Sequence, residues 1–273
     1  MMKEICVVSG SRADWGLLEW PIKVLKEDDT FDVTVWKTDG RVENKKQYDL
    51  FMLLGDRKEI LRTALCCHLD RIPIAHIAGG DVTEGSYDDA MRDCISRMAS
   101  IHFVTSTSAM ARLTHLGCKN VHLVGNPGTD YIKHADWKKE RPIKEPYVVV
   151  NYQAETIDGT NEIKMVMDNL DNKRTRVFIL PNPDRGSNDI TTKIKEYDHP
   201  GVTFIHEFLP HDKYLNLIYH SDELIGNSSS LLYEAPELGI KTRMIGKRQR
   251  GRTIPWGDGY ASQRILNILK YTL

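Results

Sequence analysis

Short apolar runs alternate with longer amphipathic stretches along the chain, and this alternation limits the fold more than any other feature. Runs such as EICVVSG, FDVTVWKT and IHFVTST end in small or polar residues, as buried strands do. The stretches between them, such as EILRTALCCHLD and DDAMRDCISRMAS, place apolar residues every three or four positions, as crossover helices do. The pattern predicts an α/β fold with parallel, doubly wound sheets.

One charged segment with two prolines, DYIKHADWKKERPIKEP, breaks this alternation, and we predict a domain linker there. We therefore expect two Rossmann-like domains, residues 1–141 and 142–273, facing each other across a cleft at the carboxyl ends of their strands. The closing stretch SQRILNILKYTL is predicted to form a helix that can pack back on the first domain.

Charge and hydropathy exclude several classes of partner. The 37 Lys plus Arg residues nearly balance the 38 Asp plus Glu residues, so we expect neither a nucleic-acid nor a membrane-surface partner. No apolar run approaches the roughly 20 residues of a membrane span. The start MMKEICVVSG enters a strand without a basic and apolar leader, which predicts a cytoplasmic protein. Because the sequence contains neither HExxH nor a calcium-loop spacing, we predict no metal.

Polar residues follow several strands of the first half, where such folds bind ligands. Arg12 follows the first strand, Asp56 follows LLG and Asp81 follows IAGG. The segment GGDVTEGSYDDAMRD holds more carboxylates than helix capping requires, which favours general acid–base chemistry. If DDAMRD is helical, Asp88 and Arg92 lie on one face and either pair with each other or flank a substrate. A surface ion pair is the alternative.

The second half contains a more specific pattern, IGNSSSLLYEAPELG. Ser228, Ser229 and Ser230 precede a predicted helix and would offer hydroxyls and N–H groups to a diphosphate. Glu234 could accept hydrogen bonds from both hydroxyls of a ribose, since an ionised carboxylate only accepts. The basic run GKRQRGR, with Arg248 and Arg252, could neutralise a pyrophosphate. A helix cap and ordinary surface charge are the alternatives.

Nine segments in one order resemble the hydrolysing UDP-N-acetylglucosamine 2-epimerases: GSRADWG, LLGDRKEI, IPIAHIAGGDVTEG, YDDAMRD, NPDRG, IGNSSS, YEAPELG, GKRQRGR and PWGDG. The resemblance spans nearly the whole chain, which looks like a shortened and divergent member. It implies a GT-B-like fold, a homodimer, a UDP-sugar substrate and no cofactor. It also implies a reaction in which UDP leaves C1 by anti elimination with proton loss at C2. Water then adds to the glycal, releasing N-acetylmannosamine and UDP.

The resemblance assigns roles to particular residues. It places UDP on the three serines and Glu234, with the NPDRG residue Asn182 in the same half and Arg12 reaching the phosphates from the other domain. Acid–base catalysis is implied for Asp56 and Asp88, with Arg92 beside them. Asp81 stands where many relatives have glutamate, and is a further catalytic candidate.

The chain departs from the family pattern at a catalytic position. Relatives place a histidine after the first strand of the second domain, whereas this chain reads Asn151, Tyr152 and Gln153. Tyr152 could donate a hydrogen bond to a phosphate, but a phenol replaces an imidazole poorly at neutral pH. Relatives also have histidine where Asp93 stands. Two alternatives therefore stay open: a glycosyltransferase-like or altered-substrate enzyme, and a non-catalytic UDP-sugar-binding protein.

Overall fold

A computed structural model describes residues 2–10, 14–38, 47–84, 87–155, 162–168, 170–171 and 174–273. The chain divides into two compact units. The first unit comprises Met1–Val82, Asp88–Ala135 and Thr253–Leu273, and the second comprises Thr83–Tyr87 and Asp136–Arg252. The domain limits 1–141 and 142–273 stay a prediction, because compactness alone does not show which parts fold independently.

The first unit alternates strands and helices and is built on one parallel sheet. Its elements are β1 (Lys3–Ser9), α1 (Trp15–Lys26), β2 (Phe31–Lys37), β3 (Leu50–Leu54), α2 (Lys58–Leu69), β4 (Ile74–Ile77), α3 (Asp89–Met98), β5 (Ile101–Val104), α4 (Thr107–His115), β6 (Val121–Leu123) and α5 (Pro127–His134). The strand order is β2-β1-β3-β4-β5-β6. The chain runs outward in opposite directions from β1 and β3, so these two strands form the topological switch point.

The second unit repeats this architecture with five parallel strands. Its elements are β7 (Tyr147–Asn151), α6 (Ile163–Asp168), β8 (Thr175–Ile179), α7 (Ser187–Glu196), β9 (Thr203–His206), α8 (His211–Tyr219), β10 (Glu223–Gly226), a 3-10 turn (Ser229–Leu231), α9 (Glu234–Glu237) and β11 (Thr242–Met244). The order β11-β10-β7-β8-β9 puts its switch point between β7 and β10. Two parallel α/β sheets confirm the predicted fold class.

The last helix, α10 (Ala261–Thr272), belongs to the first unit. Its apolar face, with Ile265 and Leu269, packs into the core formed by α1 and the β1–β3–β4 part of the sheet. Asp130 of α5 fixes where the helix begins, because its carboxylate accepts hydrogen bonds from the backbone N–H groups of Ala261 (3.1 Å) and Ser262 (2.6 Å).

Two predictions about local structure are wrong. The continuous helix expected after the three serines is a 3-10 turn followed by α9, which has only four residues. A helix this short aligns few peptide dipoles, so it offers little of the anion-binding field that was predicted. The predicted linker is wrong at its start, since residues 130–134 belong to α5. No helix within the described ranges is long and apolar enough to cross a membrane.

Candidate functional site

Tight turns bring Asp56 and Asp81 to the carboxyl edge of the first sheet. Gly55, with φ of 76°, turns the chain directly after β3 and before Asp56. After β4 the chain turns through Gly80, with φ of 78°. A Cβ atom at Gly80 would lie 2.5 Å from the carbonyl oxygen of Ala109, so only glycine fits there. Because β3 and β4 are neighbours, the two aspartates follow adjacent strands.

The side chain of Arg92, in α3, contacts three acidic residues at this edge of the sheet. Its guanidinium forms ion pairs with the carboxylates of Asp56 and Asp89, and it donates a hydrogen bond of 2.6 Å to the carbonyl oxygen of Asp81. The Arg92 side chain is only 3% exposed, whereas those of Asp56 and Asp89 are 23% and 24% exposed. One buried cation therefore holds two carboxylates that remain accessible to solvent or to a substrate.

The sequence placed Arg92 beside Asp88, and the structure gives it a different set of partners. Asp88 occupies the cap position at the start of α3, and its backbone carbonyl accepts the hydrogen bond of the Arg92 amide at 3.0 Å. The ion pairs run to Asp56 and Asp89. Sequence reasoning did not single out Asp89, although it follows Asp88 directly in the YDD segment.

Asp81 is engaged more closely than the other acidic residues. It is 7% exposed, and its carboxylate accepts a hydrogen bond of 2.8 Å from the Thr105 hydroxyl. Its carbonyl oxygen meanwhile holds Arg92. These contacts support a role for Asp81 in positioning Arg92. Asp93, which stands where histidine was expected, pairs with Arg112 of α4 at 2.8 Å and raises the pKa of that guanidinium.

A neutral histidine, His76, contacts the elements that carry these carboxylates. His76 of β4 is fully buried, and burial lowers its pKa to about 4. Its Nε2 lies 2.8 Å from the Gly55 carbonyl oxygen, which can only accept, so the ring proton is on Nε2. Nδ1 then accepts from the Ser96 hydroxyl at 2.9 Å. His76 thus links the turn before Asp56 to α3, the helix that carries Arg92.

Arg12, the phosphate-binding residue expected from the first unit, lies outside the described residues. The chain before and after it is described. The Asp14 carboxylate accepts a hydrogen bond of 2.8 Å from the backbone N–H of Gly10.

In the second unit, Asn227 ties the ends of β7 and β10 together. Its fully buried side chain accepts a hydrogen bond from the backbone N–H of Gln153 at 2.6 Å and donates one to the backbone carbonyl oxygen of Gln153 at 2.9 Å. Gly226 precedes it with φ of 141°, and a Cβ atom there would lie 2.0 Å from the Asn151 carbonyl oxygen. Side-chain hydrogen bonds and a close backbone contact therefore join the ends of β7 and β10 at the switch point of this sheet.

Neutral amides occupy the position where the family pattern has histidine. The Gln153 side chain donates to Asn151 Oδ1 at 2.8 Å and accepts from the backbone N–H of Asn182 at 2.9 Å. Asn151 in turn donates to the Tyr214 hydroxyl at 3.0 Å. None of these amides titrates near neutral pH. We name this set, Asn151, Gln153, Asn182, Tyr214 and Asn227, the amide network.

Tyr152, which could have donated a hydrogen bond to a phosphate, lies in the core of the second unit. Alternation along the extended chain turns it away from Asn151 and Gln153. It is fully buried in the core of the second unit, and its hydroxyl accepts a hydrogen bond of 3.0 Å from the Glu162 amide. Burial raises its pKa to about 12, so the phenol stays neutral.

The expected nucleotide-binding residues cluster beside the amide network. Ser228 and Ser230 are buried with their hydroxyl oxygens 3.2 Å apart, and Ser229 lies between them. Burial raises the pKa of Glu234, and the nearby Arg252 opposes that shift. Arg252 also contacts Tyr233, with its guanidinium 5.3 Å from the ring centre. Arg248 is half-buried in the turn before Arg252.

Gln249 is a further polar residue of this region that sequence reasoning missed. Its side-chain N–H donates to the Asn227 carbonyl oxygen at 2.7 Å. The available signal was that Gln249 is the one uncharged polar residue in the basic run KRQRGR. In the part of the chain that the structure describes, no cluster of three or more His, Cys, Asp or Glu side chains could hold a metal ion.

Comparison with known proteins places these residues in context. The sequence model of the UDP-N-acetylglucosamine 2-epimerase family matches residues 34–254. Polysialic acid biosynthesis protein P7 from Escherichia coli is 34% identical over 232 residues, 78% of this chain and 58% of that protein. GDP/UDP-N,N'-diacetylbacillosamine 2-epimerase (hydrolyzing) from Campylobacter jejuni is 32% identical over 224 residues, 75% of this chain and 58% of that protein. These matches thus take in somewhat more than half the length of either relative.

A solved structure shares the fold. The UDP-GlcNAc 2-epimerase from Neisseria meningitidis, bound to UDP-GlcNAc, aligns with a TM-score of 0.78 at 14% identity and covers 98% of this chain and 100% of that one. The GT-B-like α/β architecture is therefore confirmed.

Proposed function

The chain belongs to the UDP-N-acetylglucosamine 2-epimerase family, and from that premise we propose that it hydrolyses UDP-N-acetylglucosamine, or a close UDP-hexosamine, with inversion at C2. The observation that carries the proposal is the cluster around Arg92, where one buried guanidinium orders the carboxylates of Asp56 and Asp89. Removing a proton from carbon and returning one needs acid–base groups held in fixed positions, and ordered carboxyl groups can do both.

The proposed reaction has two steps. In the first, a carboxylate takes the proton from C2 while the C1–O bond breaks and its electron pair leaves with UDP, forming a glycal. In the second, the oxygen of a water molecule bonds to C1 as the water gives one proton to a carboxylate, and a carboxyl group delivers a proton to the opposite face of C2. Asp56 and Asp88 are the proposed acid–base pair, because Asp56 is ion-paired with Arg92 and Asp88 begins the helix that carries Arg92. Arg92 and Asp81 position them.

The second unit supplies the groups for nucleotide binding in this proposal. A diphosphate only accepts hydrogen bonds, so it requires donors and positive charge. Ser228, Ser229 and Ser230 provide hydroxyls, Arg248 and Arg252 provide charge, and Arg12 is expected to add to it. Glu234 is the proposed partner of the ribose hydroxyls. With cations to stabilise the leaving UDP, the reaction does not require an imidazole at Gln153.

The amide network favours a second candidate function. Because Gln153 cannot donate or accept a proton in catalysis, a UDP-sugar-binding protein without turnover would fit the second unit equally well. A glycosyltransferase-like enzyme of altered substrate would also bind UDP-sugar there, but would release UDP only when an acceptor is present. We also propose that the protein is a homodimer and is cytoplasmic. Light scattering of the pure protein tests whether it is a dimer.

An NMR assay in D2O separates these functions. We expect UDP-N-acetylglucosamine to yield UDP and N-acetylmannosamine with solvent deuterium at C2. The Asp56→Asn variant should lower kcat by about 10²- to 10⁴-fold, the usual contribution of an acid–base group. The matched control is Asp32→Asn, since Asp32 is an exposed residue of β2 in the same unit. Binding without UDP release would reject the epimerase, and acceptor-dependent release would support the transferase.

A further inference from the structure

The side-chain amide of Gln249 donates a hydrogen bond through its nitrogen, but its oxygen accepts none from the described part of the chain. The residue is only 9% exposed, and its Nε2 donates to the Asn227 carbonyl oxygen at 2.7 Å. That oxygen can only accept, so the contact determines which end of the amide faces Asn227. Gln249 Oε1 consequently points the other way. It is buried, and no residue in the described part of the chain donates a hydrogen bond to it.

A flip of the Gln249 side-chain amide would not give this oxygen a donor. A rotation would place Oε1 against the Asn227 carbonyl, acceptor facing acceptor. Nor does the Asn227 side chain donate to it, since that side chain is directed at the two backbone groups of Gln153. Buried carbonyl oxygens in native proteins are nearly always paired, and a ligand is one source of the missing donor.

A second acceptor in the same unit shows the same property. Glu234 Oε2 is buried, and none of the described residues donates to it. Both acceptors lie in segments that also carry cations, Arg248 beside Gln249 and Arg252 near Glu234. These cations would attract a diphosphate, but the oxygens of the diphosphate would be repelled by Gln249 Oε1. A ligand that matches both the cations and the acceptors carries hydroxyl or N–H donors as well as phosphate.

We propose that Gln249 is a ligand-binding residue whose Oε1 accepts a hydrogen bond from a hydroxyl or amide N–H of the bound nucleotide sugar. The inference rests on the proposed function and deepens it. Gln249 then lets the second unit distinguish a nucleotide sugar from a bare diphosphate. The donor belongs either to the nucleoside or to the hexosamine, since both carry hydroxyl and N–H groups.

Calorimetry with three ligands tests the assignment. The Gln249→Met variant keeps the length of the side chain and removes the amide. Against inorganic pyrophosphate its Kd should stay within about twofold of the wild type, whereas against UDP-N-acetylglucosamine it should rise about tenfold, as expected for one buried hydrogen bond. An equal rise for UDP locates the donor in the nucleoside, and an unchanged Kd for UDP locates it in the hexosamine. Unchanged affinity for all three, or an equal loss for all three, overturns the proposal.

Two further variants secure the interpretation. Gln263→Met is the matched control, because Gln263 is exposed on α10 and should leave all three affinities unchanged. If Gln249→Met does not fold, Gln249→Lys retains a donor for the Asn227 carbonyl and still lacks an acceptor. Its added charge acts on every diphosphate ligand, so the readout is the ratio of the Kd values for UDP-N-acetylglucosamine and pyrophosphate. That ratio should rise, and an unchanged ratio overturns the proposal.

The proposed function and the role of Gln249 can be refuted separately. A wild-type protein that binds neither UDP nor UDP-N-acetylglucosamine refutes the proposed function and this inference with it. A wild-type protein that binds both, together with a folded Gln249→Met variant of equal affinity, refutes the role of Gln249 alone.

Discussion

The two units present the same edge of the same kind of sheet, but they order it by different physical means. In the first unit a buried guanidinium, Arg92, holds the carboxylates of Asp56 and Asp89. In the second, the amide network joins β7 to β10 through neutral hydrogen bonds. An edge ordered by charge contains groups that can exchange protons, whereas an edge ordered by amides can recognise a ligand but cannot titrate.

This difference predicts how each edge responds to substitution. Removing one member of an ion-paired cluster leaves the remaining charges without compensation, which costs more than removing one member of a neutral network. The first unit should therefore be the more sensitive to single changes and to acid.

The largest effect is expected for Arg92→Met. The substitution leaves two carboxylates of the first unit without their cation, and we expect the free energy of unfolding to fall by about 3 kcal/mol, the low end of the range for breaking a buried pair, because both carboxylates are partly exposed. Urea denaturation followed by tryptophan fluorescence measures it, because four of the five tryptophans lie in the first unit: Trp15, Trp20, Trp36 and Trp256. Arg62→Met, at an exposed position of α2, is the control. A loss no greater than that of the control would contradict a central role for Arg92.

Acid should destabilise the first unit through its buried histidines. Burial lowers the pKa of His102 to about 4, from 6.5. A base with a lowered folded-state pKa stabilises the fold above pH 6.5, and this contribution is lost as the pH falls from 6.5 toward 4. The difference corresponds to about 3 kcal/mol. We therefore expect His102→Leu to lose less stability than the wild type between pH 7 and pH 4.5.

The control for this pH dependence is His115→Leu, since His115 is exposed at the end of α4. Its urea midpoint should follow that of the wild type at every pH. His102 is adjacent to His76 in the sheet, where β4 and β5 pair. Parallel curves for His102→Leu and the wild type would show that His102 is not held neutral by the fold.

A smaller effect is expected in the second unit from Asn227→Ala. The substitution leaves the N–H and the carbonyl of Gln153 without their partners, and we expect a loss of about 2 kcal/mol. Binding of UDP-N-acetylglucosamine should weaken as well, because the Asn227 side chain fixes the backbone whose carbonyl oxygen accepts from Gln249. Asn267→Ala, at an exposed position of α10, is the control. If Asn227→Ala cost more than Arg92→Met, the contrast between the two edges would be reversed.

The sequence predicted the features that depend on local pattern. Strand and helix alternation defined both sheets, and the residues that follow strands, such as Asp56 and Asp81, lie where predicted. The partners of Arg92 could not be predicted in the same way. Helical spacing relates residues three or four positions apart, so it suggested Asp88, whereas Asp56 is 36 positions away and meets Arg92 only through the packing of α3 on the sheet.

Burial explains the other differences between prediction and structure. Tyr152 is polar at its tip and follows β7, but the alternation of side chains along the strand puts it in the core. Gln249 was overlooked because basic neighbours dominate its segment, and only the folded chain shows that its amide is buried. Whether a polar side chain faces solvent, a partner or a ligand is set by tertiary contacts that a single sequence does not contain.

The smallest effect, and the sharpest test of the first edge, is expected from Ser96→Ala. The Ser96 hydroxyl donates to Nδ1 of His76 and so keeps the ring proton on Nε2, where it holds the Gly55 carbonyl. Loss of one buried neutral hydrogen bond should cost about 1 kcal/mol. Because Asp56 follows Gly55, kcat should fall by more than this modest loss of stability alone would produce, while KM stays near the wild-type value. Ser100→Ala, which removes a hydroxyl bonded to the Ile74 carbonyl, is the control and should leave kcat unchanged. An equal kcat for both variants would show that the His76 contact serves the fold and not the position of Asp56.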